Sequence, residues 1–93
     1  MALKSFIKNV ASEGTAERVS SSDLLVRWAQ LRAKAGNVGN VFAGDATVSS
    51  SDPALAAGDS LILRGDPFIN LFDIFVDSAQ DGEGIDVWYI SYQ

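Results

Sequence analysis

The sequence predicts an all-β domain, a small antiparallel β-sandwich of short strands, jelly-roll-like in character. Two observations predict it. Short apolar runs rich in β-branched and aromatic residues alternate with Gly, Asn, Asp and Ser clusters along most of the chain. Within the run Leu71–Tyr92, Ile74 and Val76 fall on one side of an extended chain and Asp73, Phe75 and Asp77 on the other. Ile85, Val87 and Tyr89 likewise alternate with Asp86, Trp88 and Ile90. Period two is the signature of a half-buried strand.

From the N-terminus, Met1–Val10 places Leu3, Phe6, Ile7 and Val10 among two lysines. It reads as an edge strand or as an arm laid on a neighbour. Ala11–Ser22 is rich in Ser, Thr, Gly and Glu and reads as a loop or loosely held strand that adds little to a core. The chain accordingly divides into an N-terminal arm and loop, 1–22, and a sandwich, 23–93. Asp23–Ala35 fits two templates. As a helix it has Ser22 as N-cap, Leu24, Trp28, Leu31 and Ala35 on one face, and Gly36 as a stop. As a strand its alternation is less tidy, and intrinsic propensity favours the helix.

Gly36–Asp45 is dense in Gly and Asn, which tolerate positive φ, so turns are expected at Gly36–Asn37 or Gly39–Asn40 around a short strand, Val41–Ala43. Ser60–Arg64 is the next strand. Gly65–Asp66–Pro67 should end it, because proline donates nothing to a ladder. Leu71–Tyr92 then reads as a wide β-hairpin around the acidic glycine loop, with one glycine left-handed.

Composition narrows function. The 93 residues suit one domain. A domain of this size buries about 60–65% of the surface of its unfolded chain, so burial by a partner would help it. With no cysteine and no histidine, thiol chemistry, Cys-based zinc sites and Ser-His-acid triads are all excluded. No metal, cofactor or catalytic activity is expected. The net charge of −5 disfavours nucleic acid and anionic membrane surfaces as partners. No apolar window reaches the length of a membrane span, and Met1–Lys4 does not open a secretory signal.

Clustered carboxylates can hold calcium, and Asp77, Asp81, Glu83 and Asp86 lie close together in the chain. An EF-hand loop would need ligands where Ala79 and Trp88 stand, so the cluster reads instead as a solvated hairpin tip that discourages edge pairing. Gly36–Asn40 lacks the Lys-Ser/Thr of a phosphate loop. Arg64–Gly65–Asp66 reads as a turn. Trp28, Trp88, Tyr89 and Tyr92 read as core or interface anchors. Arg27, Arg32 and Lys34 form a small basic face suited to an acidic neighbour.

These residues also carry a resemblance. Asn37–Asp45 matches Asn-x-Gly-Asn-Val-aromatic-x-Gly-Asp, following an apolar strand that ends in Ala. Leu55, Gly58, Asp59, Ser60, Leu61 and Leu63 match Leu-x-x-Gly-Asp/Glu-Ser-Leu-x-Leu. Leu71, Ile74, Phe75, Val76 and Asp77, then Gly82, Gly84, Ile85, Val87 and Tyr89, supply the two closing motifs. Ala33–Tyr89 thus resembles small tailed-phage virion proteins, departing from them at Ala43 and in the extra length of Asp66–Phe68. The resemblance implies a β-sandwich and a strand, not a helix, over Arg27–Ala35. It transfers no catalytic residues. It implies a capsid decoration or cement protein on the outer capsid surface, bridging subunits of the major capsid protein, or alternatively a tail or fibre adaptor or receptor-binding component. The expected partner contacts are Leu3, Phe6, Ile7, Arg27, Trp28, Arg32, Trp88 and Tyr92. The loops 36–45 and 77–86 are the expected exposed tips, and a trimer is the expected assembly.

Overall fold

A computed structural model describes residues 2–92. It holds seven strands among the described residues: β1 Leu3–Asn9, β2 Glu17–Arg18, β3 Leu25–Ala33, β4 Val41–Gly44, β5 Ser60–Asn70, β6 Phe75–Ser78 and β7 Gly84–Ser91. A single 3₁₀ turn, Leu71–Asp73, follows β5. The strands form two antiparallel sheets, ordered β1-β7-β3-β5 and β2-β6-β4. Odd-numbered strands make one sheet and even-numbered strands the other, so every connection crosses the sandwich. This is jelly-roll winding. Between β4 and β5, the place of a further strand is reduced to one bridge, Leu55 to Val41.

The interior explains the layout. Ala29, Leu31 and Ala33 from β3 and Ile85 and Val87 from β7 are fully buried and meet Val41 and Val76 of the smaller sheet. β3 is a central strand, paired with β7 on one side and β5 on the other. The helix favoured by propensity is therefore overridden: two neighbouring strands satisfy its backbone, and alternate residues reach the core. The described part of the predicted arm and loop, 2–22, is built into the same sandwich. β1 pairs with β7 over its whole length, and Val10 and Val19 are both core residues. Ala11–Ser22 thus contributes to the interior, contrary to expectation. At that edge Lys8 Nζ meets Glu17 Oε1 at 2.7 Å, tying β1 to β2 across the two sheets.

Two further expectations are corrected. β6 and β7 do not form a hairpin, because they belong to opposite sheets. Val76 must face Ile85 and Val87 through the core, and Ala79–Glu83 arches over the sandwich end with Gly82 at φ +79°. Nor does Pro67 end β5. The strand runs on to Asn70 through a bulge around the cis Asp66–Pro67 peptide. Register moves two steps along β3, Trp28 to Val26, against five along β5, Arg64 to Ile69. The surplus residues loop out, and β5 is an edge strand where a missing donor costs no ladder bond.

Candidate interaction face

Registered partners in a sheet share a face. Since Ala29, Leu31 and Ala33 point inward, Trp28, Gln30 and Arg32 point outward. Their partners complete three rows across the outer face of the four-stranded sheet. The first is Leu3, Ile90, Trp28 and Arg64. The second is Ser5, Trp88, Gln30 and Ile62, and the third is Ile7, Asp86, Arg32 and Ser60. Tyr92 extends the outward series of β7, and its ring lies 5.1 Å from that of Phe68 in the β5 bulge.

Among the described residues no element covers this face. Leu3 is 62% exposed, Ile7 60%, Ile62 50% and Phe68 42%. Leu3 and Ile7 stand on edge strand β1 and Ile62 and Phe68 on edge strand β5, with the half-buried Trp28, Trp88 and Ile90 on the central strands between them. The charged groups are arranged around it. Arg32 donates to Asp86 at 2.8 Å, and its guanidinium lies 4.9 Å from the centre of the Trp88 ring. Beside this pair is a shallow hollow of about 400 Å³ lined by Ser5, Phe6, Ile7, Trp88 and the two charged groups. Arg27 donates to the Tyr92 carbonyl and lies 5.8 Å from its ring centre. In the three rows Asp86 is the single carboxylate, against Arg32 and Arg64, on a chain of net charge −5.

Of the residues predicted as contacts, Leu3, Ile7, Trp28, Arg32 and Trp88 lie in the three rows, with Arg27 and Tyr92 at one end. Phe6 does not join them. It pairs with Val87, packs against the core and meets the Tyr89 ring edge-on at 5.9 Å. Lys34 reaches Asn9 at the margin, 3.3 Å away. Ile62, Phe68 and Ile90 were missed. Ile90 follows by parity from Val87 and Tyr89. Ile62 shares its parity with the polar Ser60 and Arg64, so alternation along Ser60–Arg64 carried a signal for it that was not used.

The acidic loop is a solvated tip only over Gln80, Asp81 and Gly82, which are exposed. Asp77 is buried, and its Oδ1 accepts from the N–H groups of Gly14 at 3.0 Å and Ser78 at 2.8 Å. Asp81 accepts from the Glu13 N–H at 2.8 Å. Glu83 accepts from Val38 at 2.6 Å and Gly39 at 2.9 Å, one with each oxygen. The carboxylates therefore lace together the arches at one end of the sandwich. Among the described residues no group of three or more Asp and Glu converges on a position for a metal ion.

No protein-family model, curated protein or solved structure matches this chain. The functional reading accordingly rests on the outer face and on the motifs of the sequence.

Proposed function

We propose that the chain is a structural protein of a bacteriophage virion, a capsid decoration protein that docks on the outer head surface and bridges subunits of the major capsid protein. The observation that carries this reading is the uncovered apolar face of the β1-β7-β3-β5 sheet. A small sandwich that leaves Leu3, Ile7, Ile62 and two tryptophans on one flat surface is made to be covered by protein. The motifs of Asn37–Asp45 and Leu71–Tyr89 supply the class of assembly. The reading assigns no catalytic role and no cofactor.

The test is to mix labelled protein with heads purified without it and to image where it lands. Regular binding on the outer surface is expected, and an Ile7→Ser/Ile62→Ser variant should lose it while keeping its fold. Heads that stay bare at micromolar protein contradict the reading. A second reading, a tail or fibre component that contacts a glycan, is favoured by the hollow where Trp88 sits beside Arg32 and Asp86. Glycan binding abolished by Trp88→Ala, with heads left bare, would select it.

A further inference from the structure

We propose that the occupant of the outer face is a second copy of this chain, packed face to face about a two-fold axis that lies above the face, parallel to the strands and midway between β7 and β3. This rests on the reading of that face as a protein-contact surface, and it names the partner. The pair is the form of the protein off the capsid, a head-bound copy turns the same face to the capsid instead, and the pair replaces the three-fold assembly implied by the resemblance.

Charge and area carry the argument. Rotation about that axis exchanges β7 with β3 of the second copy, and β1 with β5, while keeping the rows level. Asp86 of each copy then lies opposite Arg32 of the other, because both stand in the third row. Ile90 lies opposite Trp28, and Trp88 opposite Gln30. The single carboxylate of the three rows therefore meets a cation in both directions, as an isologous interface requires. Arg32 has capacity for this contact. Within one chain its guanidinium donates to Asp86 through one terminal nitrogen, and the side chain keeps 40% of its surface exposed for a contact from outside. Arg27 and Arg64 fall toward the rim, where solvent screens them.

The size is also adequate. Four strands about 4.8 Å apart, with about seven residues of roughly 3.3 Å each, give a footprint of roughly 400 Å² per copy. Two such faces with their side-chain relief remove on the order of 1,000 Å² from water, the lower bound for a specific interface. Face-to-face packing of twisted sheets at an aligned angle is an ordinary sandwich geometry. On the outer strands the same rotation sets Leu3, Ile7 and Ile62 opposite Arg64, Ser60 and Ser5 of the second copy, so the apolar contact of the pair is between Ile90 and Trp28.

The test is sedimentation of the full chain from about 1 to about 100 µM, a range that brackets ordinary dimer affinities, alone and in two charge-reversed forms, with circular dichroism to check each fold. Wild type is expected to be a dimer. Arg32→Glu and Asp86→Arg should each weaken dimerisation at least about tenfold, because each sets like charges opposite one another across the axis. Mixing the two variants should restore a heterodimer. In the mixed pair the two introduced side chains face each other across the axis, and so do the two native ones, so opposite charges meet at both contacts. Repair of an intrachain pair cannot produce that result. A wild-type monomer or trimer, or a mixture that stays monomeric, overturns the proposal. A dimer that ignores capsid heads keeps this inference and removes the decoration reading. A monomer that coats heads does the reverse.

Discussion

Asp77 shows how much one carboxylate does in this chain. Its side chain lies on the outer side of β6, where alternation places it, yet it is buried because the Glu13–Gly14 turn folds over it and donates to it. Removing a buried charged acceptor leaves the N–H groups of Gly14 and Ser78 short of a partner, at a cost of about 1–3 kcal/mol. Asp77→Ala should lower unfolding stability in urea by that amount, and Asp77→Asn, which keeps an oxygen in place, by less. Glu17 carries a pH signature that ties two strands together. The bond from Lys8 first, and the Ala11 N–H second, hold its carboxyl below the ordinary value of 4.5. A lowered folded value means that the stabilisation is present above pH 4.5 and is lost as pH falls through the folded value. A wild-type stability profile between about pH 6 and pH 2.5 should therefore fall off in acid more steeply than that of Glu17→Gln. Matching slopes would remove Glu17 from the account.

At the scale of the element, β1 depends on Gly84. A Cβ built there overlaps the Lys8 carbonyl, so β1 closes on β7 only because residue 84 has no side chain. Gly84→Ala should cost about 1–3 kcal/mol through overpacking, and hydrogen exchange should show it first as lost protection over Leu3–Asn9. Elements differ in how far the sequence exposes them. Period-two alternation placed β6 and β7, and the glycine and asparagine clusters placed the turns around β4, because both are local signals. Which strand pairs with which is not local. Phe75–Ser78 and Gly84–Ser91 look like the arms of a hairpin, but their partners are β4 and β2 for one and β1 and β3 for the other. The ambiguity of Leu24–Ala35 has the same origin: Leu24, Trp28 and Leu31 fit a helical stripe, and only the strands on either side decide against it. Pro67 reads as a stop because the bulge that accommodates it is set by register against β3.

For the whole molecule, the distribution of surface character separates a laced end from a bare face. The end of the sandwich near Gly14, Val38 and Gly82 is closed by carboxylates that accept backbone N–H groups. Among the described residues the outer face of the four-stranded sheet has no such cover, and it carries Trp28 and Trp88. Most of that face was legible once Trp28, Arg32 and Trp88 were taken as outward; Ile62 stands between two leucines and was passed over, although Ser60 and Arg64 on its own parity mark that side as outward. The central claim is that protein covers this face when the molecule is at work. Hydroxyl-radical footprinting read by mass spectrometry tests it most directly, comparing dilute protein, protein about a hundredfold more concentrated, and protein bound to heads. The account predicts that oxidation of Trp28, Trp88 and Tyr92 drops on concentration or on head binding, while Phe72 and Phe75, which flank Arg18 on the opposite side, react as before. Full reactivity of both tryptophans under all three conditions would contradict it.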